Sequence, residues 1–185
     1  MPENILELIA QNLGYPELEK IDPNSQEPKK PDHNAEQVIA QATIPAVLAA
    51  IYKLTRDKEG SALLLNASPT SDDLLHNIFM GNEQEAIRKI AGHAGISESE
   101  AESRTEEVAE EAVNIIRKTS GNKATPESVK KYLNDQRHAI LVYLPAALKM
   151  GDVLQDESID DRTNKMEGPI SNLMHNIEKK FSSGN

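Results

Sequence analysis

The sequence predicts an all-α fold: a single compact multi-helix domain carrying an N-terminal helical arm on a proline-rich tether. Apolar residues recur at three- and four-residue spacing along most of the chain, the periodicity of one helix face. Helix start signals precede these runs, and no segment shows the two-residue alternation of a half-buried strand. Aliphatic side chains must fill the interior, because 185 residues at 38% hydrophobic content include two Phe, four Tyr and no Trp.

The elements follow in order. Ile5, Leu8, Ile9 and Leu13 define one face of a short helix over residues 3–13, with Gly14 suited to its C-terminal cap and Pro16 beyond it. From Gly14 to His33 there is no periodicity, and Pro16, Pro23, Pro28 and Pro31 are spread through it, which reads as an extended tether. Residues 1–33 are thus an arm and 34–185 the helical core domain.

Asn34 with Gln37 opens the next helix, whose stripe is Ala35, Val38, Ile39 and Ala42. Pro45 removes a backbone donor, so a kink or restart is expected there. The run Ile44–Leu54 is apolar nearly all round, the mark of a central core helix. Thr70 and Asp73 frame the segment ending at Gly81, and Asn82 with Glu85 starts another helix. Ser97 and Glu100 form a capping pair before a long stripe of Ala101, Thr105, Val108, Ala109, Ala112 and Ile116. Glu98, Glu102, Glu106, Glu107, Glu110 and Glu111 lie off that stripe, a solvated face that could also meet a basic partner. Thr125-Pro126 begins a helix carrying Val129, Tyr132, Leu133, Ile140 and Tyr143 toward Pro145. A last amphipathic helix is predicted from about Pro169 to Phe181. Ile44-Pro45-Ala46-Val47-Leu48 and Leu144-Pro145-Ala146-Ala147-Leu148 echo one another, as two kinked core helices would.

Charge and composition exclude several classes. With 30 acidic against 20 basic residues the formal charge is −10, which disfavours nucleic acid and anionic membrane surfaces as partners. Without Cys there is no thiolate nucleophile, disulfide or Cys-ligated metal. The opening MPENILELIAQN lacks the basic start and apolar run of a secretory signal, and Ile44–Leu54 falls short of the roughly 20 apolar residues a membrane span needs. A cytoplasmic protein is expected.

Pro45 to Arg117 resembles the YidB-like family, helical bacterial proteins classed as a domain of unknown function. The resemblance is carried by the Pro-Ala-Val-Leu helix, KEGSALLLNA at 58–67, LLHNIFMGNEQEAIRKIA, and the step Gly95-Ile96-Ser97 into a long helix. It implies an all-α fold and supplies no catalytic residues. This chain departs from the pattern in being less glycine-rich and more acidic, and in its proline tether and the tail after Gly151.

Two constellations could hold a metal. DESIDDRTNKME at 156–167 offers oxygens at calcium-loop places 1, 3, 5, 9 and 12 from Asp156, Ser158, Asp160, Asn164 and Glu167. The glycine needed at place 6 is Asp161, the aliphatic place 8 is Thr163, and no second loop exists to pair with, so an acidic interhelical loop is the favoured reading. Asp73 with His76, and Asp135 with His138, each put a carboxylate and an imidazole on one helix face, but helical-bundle metal sites also need bridging carboxylates from other helices. His93 sits near a helix end where the dipole favours a cation, and His175 with Glu178 reads as a surface pair.

Nucleophilic catalysis finds no Gly-x-Ser-x-Gly elbow and no phosphate-binding loop; Lys58-Glu59-Gly60-Ser61 is only a helix start. No cofactor is expected. The expectation is a non-catalytic helical interaction or assembly protein, partnered by itself or by another protein. Homo-oligomerisation would follow if the short N-terminal helix, too short to stand alone, docked on a second copy. A metal-binding helical protein is the alternative.

Overall fold

In the computed structural model, residues 4–21, 34–121 and 124–160 are described. The helices are α1 (Ile5–Leu13), α2 (Ala35–Leu54), α3 (Lys58–Asn66), α4 (Leu74–Ile78), α5 (Glu83–Ala94), α6 (Glu98–Ser120), α7 (Pro126–Tyr143), α8 (Met150–Leu154) and α9 (Glu157–Asp160), with a 3₁₀ turn at Ala146–Leu148. No strand occurs among the described residues, and the all-α class stands.

The central element is α2. Its residues from Ile39 to Tyr52 are buried without interruption, and α5, α6 and α7 form its main packing partners, with α1, α4 and α8 closing the rest. Pro45 neither ends nor restarts this helix, which runs unbroken for 20 residues. What the proline does remove is the N–H that would bond the Gln41 carbonyl. The surrounding helices hold the segment in helical form despite that loss. At this length α2 is long and apolar enough to cross a membrane, which the shorter Ile44–Leu54 run was not, but 83% of the qualifying window is buried against the other helices. That burial accounts for its apolar character as core.

Helix α1 folds back on its own chain, against α6 and α2. Asn4 caps its start by accepting from the Leu6 N–H, and Gly14 turns the chain at φ 71°, donating to the carbonyls of Ala10 and Gln11. Its buried side chains are Ile5, Leu6, Ile9 and Ala10, while Leu8 and Leu13 are only partly covered. The buried face is therefore rotated from the one predicted, because neighbours on two sides widen it. The buried side chains of α1 are covered within its own chain.

The segment after Gly14, expected as part of the tether, packs too. Tyr15, Leu18 and Ile21 are buried, and the Ile21 N–H donates to the Val142 carbonyl at 2.9 Å. Tyr15 lies under the Arg104 guanidinium, 5.8 Å from ring centre to Cζ, a cation–π contact. The part of the predicted tether from 22 to 33 lies outside the described residues.

Capping follows the sequence signals in part. Asn34, Ser97 and Thr125 each accept the predicted backbone N–H, from Gln37, Glu100 and Ser128 respectively. Thr70 does not cap a helix with Asp73 as its partner: α4 starts at Leu74, Asp73 holds its N-cap position without a side-chain cap bond, and Asn82 makes none for α5 either. The Pro45/Pro145 echo is not a structural repeat. Pro45 is interior to α2, whereas Leu144 terminates α7 and Pro145 leads into the 3₁₀ turn. The predicted helix over 169–181, with His175 and Glu178, lies outside the described residues.

Candidate functional site

The acidic segment from Asp156 is helical at its start rather than a loop. Asp156 caps α9, its Oδ1 accepting from the Ser158 N–H at 3.1 Å and from the Ser158 hydroxyl at 2.6 Å. Its other oxygen pairs with the Arg56 guanidinium and with Lys53 Nζ at 3.4 Å. Burial alone would push this carboxyl up, but the Ser158 hydroxyl, Arg56 and Lys53 together hold it below the usual range. Asp160 turns back on α8 and accepts from the Asp152 N–H at 3.2 Å. The first calcium place is thus an ion-paired helix cap already facing two cations. Asn164 and Glu167 lie outside the described residues.

The two Asp-x-x-His pairs do not converge. His76 Nδ1 meets Glu83 Oε1 at 3.1 Å across the α4–α5 turn, a hydrogen bond that lowers the Glu83 carboxyl below its ordinary value. Asp135 accepts from Lys131 Nζ at 2.9 Å one turn earlier on α7. Among the described residues no three His, Asp or Glu side chains group as a metal site. His93, expected to gain from the α5 dipole, is instead held below the ordinary histidine range by burial. Desolvation of the imidazolium outweighs the helix end.

The feature with functional character is the outer face of α6. Apart from Glu100 in the first turn, its glutamates divide into two sets. Glu98 and Glu107 lie 3.9 Å from Arg88 and Arg104, and Glu111 accepts from Asn12 Nδ2 at 2.7 Å. Glu102, Glu106 and Glu110, at i, i+4 and i+8, have no ion pair among the described residues. Asp72, from the turn before α4, adds a fourth negative charge felt at Glu106. Partial desolvation first, then the like charges of Glu102, Glu110 and Asp72, push the Glu106 carboxyl above its ordinary value. The sequence shows the glutamates; it does not show which are neutralised, nor that Asp72 joins them, because both depend on how α1, α4 and α5 pack on α6.

The ridge rests on a rigid base. Ala101, Thr105, Val108, Ala109, Ala112 and Val113 on the opposite face are buried, and Thr105 donates its hydroxyl to the Ala101 carbonyl at 2.6 Å. Negative charges are therefore presented at fixed spacing on the longest helix described. No protein-family model, no curated protein and no solved structure matches this chain.

Proposed function

We propose that this protein is a non-catalytic interaction protein whose α6 ridge docks a basic segment of another polypeptide. The observation that carries this reading is the row of Glu102, Glu106 and Glu110, without an ion pair among the described residues, with Asp72 beside it. Like charges four residues apart on a helix cost about 0.2–0.5 kcal/mol per pair, and here, after partial desolvation, they raise the Glu106 carboxyl. A helix or strand bearing Lys or Arg would remove that repulsion on binding. Such complementarity speeds encounter and fixes register. A second copy would bring a ridge of the same sign, so the reading favours a basic partner over self-association through this face.

The test is fluorescence anisotropy of a labelled Lys/Arg-rich helical peptide against the full chain at near-physiological salt. Converting Glu102, Glu106 and Glu110 together to Gln should weaken binding about tenfold or more, roughly 1.4 kcal/mol. Converting Glu17, Glu59 and Glu157 to Gln removes the same charge elsewhere and should change affinity little. Equal losses in the two triple variants would reduce the effect to net charge and refute the ridge.

A further inference from the structure

A second feature lies at the other end of α6. Arg117 reaches from its last turns across to the C-terminus of α3, where Nη2 donates to the Leu65 carbonyl at 2.7 Å and to the Ala67 carbonyl, with Leu64 at 3.5 Å. The guanidinium has five N–H donors, and these contacts use only the Nη2 group. Nε is buried with no acceptor, and no acceptor among the described residues meets Nη1. No carboxylate among the described residues pairs with Arg117 either.

Arg117 also lines an open cavity of about 430 Å³ at the surface between α3, α6 and α7, together with Ala62, Leu65, Asn66, Gly121, Ala124 and Pro126. That volume is at the small end of the roughly 300–1,000 Å³ of ligand sites. Arg117 is the one charged residue among the described residues of the lining. The neighbouring helix ends carry their own caps. The Gly121 N–H meets the last carbonyls of α6, and the Thr125–Ser128 box closes the start of α7, where Glu127 pairs with Lys58 at 3.3 Å.

We propose that this cavity binds a small aliphatic carboxylate, its acid group on Arg117 and its chain against Ala62, Leu65, Ala124 and Pro126. A single guanidinium with spare donors matches a planar monoanion. A phosphate dianion would call for further cations, and the described lining offers none. Asn66 adds an amide able to serve the second carboxylate oxygen. Nη1, which meets no acceptor among the described residues, is the group a ligand would satisfy.

The experiment is NMR titration of the full-length chain with butyrate at constant ionic strength, compared with butyramide and inorganic phosphate. Shifts confined to the cavity residues, with millimolar affinity for butyrate and at least tenfold weaker binding of the other two, are expected. Ala62→Leu should fill the cavity and abolish binding while circular dichroism shows the fold intact. Arg117→Lys should weaken it tenfold or more by losing the planar fork. Butyramide binding as well as butyrate, shifts that map elsewhere, or binding that survives Ala62→Leu would each overturn the assignment, as would no binding at all.

Discussion

Gln41 Nε2 donates to the Tyr143 carbonyl oxygen at 2.6 Å, joining the middle of α2 to the end of α7. The same amide donates to the Glu19 carbonyl at 3.0 Å, and its Oε1 accepts from the Glu19 N–H at 2.8 Å. One buried side chain thus satisfies a helix C-terminus and pins the segment that follows α1. Pairing of this kind offsets the cost of burying polar backbone.

Replacing Gln41 by Ala should therefore cost about 2–4 kcal/mol, because three backbone groups lose their partner at once. Gln37, one turn earlier, makes only longer contacts at 3.4 and 3.3 Å near the surface. Gln37→Ala should cost less than about 1 kcal/mol. Urea denaturation of the two variants compares them directly.

Glycines at two helical positions should respond with opposite sign. A Cβ at Gly60 would collide with the Leu54 backbone carbonyl, where the start of α3 abuts the end of α2. Gly60→Ala should lose roughly 1–3 kcal/mol to overpacking despite its gain in helix propensity. At Gly92 in α5 a Cβ meets nothing within 4 Å, so Gly92→Ala should gain up to about 1 kcal/mol. Thermal melts of both variants read the difference.

The phase of α1 is open to the same treatment. Leu6 is fully buried, whereas Leu8 is partly covered. Leu6→Ala should cost about 2–5 kcal/mol and Leu8→Ala clearly less. The reverse order in equilibrium unfolding would restore the face expected from the apolar spacing alone.

Two groups set opposite pH trends. His93 has its folded value depressed by burial, so the unfolded chain takes the proton first and stability falls as pH drops below the ordinary histidine range. His93→Gln should remove that part of the loss. Glu106 has its folded value raised, so its ionised form destabilises the fold at neutral pH and the penalty vanishes as pH falls through that value. Glu106→Gln should stabilise the protein at pH 7 and not at acid pH. Melting temperature against pH for both variants checks the signs.

Much of the fold is legible in local chemistry. Asn34, Ser97 and Thr125 announce their helices because a cap is a contact between residues two or three apart. The all-round apolarity of Ile44–Leu54 marks the centre of the core for the same reason. What escapes the sequence is long-range. Pro45 breaks helices in isolation, yet here packing on all sides keeps α2 continuous. Residues 15–21 look like a tether until Gln41 and Val142 supply their backbone partners. At the site, Asp156 has the spacing of a calcium ligand, but Lys53 and Arg56, about 100 residues earlier, decide its role. The ridge is half legible: the glutamates are in the sequence, their neutralisation is in the packing.

The most direct test of the ridge is a map of where a basic partner touches the protein. A Lys/Arg-rich helical peptide should be titrated into isotope-labelled full-length chain and backbone shifts followed at two salt concentrations. The account predicts perturbations centred on residues 102–110 of α6 and on Asp72, weakening steeply as salt rises. Perturbations centred on any other face, or spread evenly over the acidic surface, would contradict it.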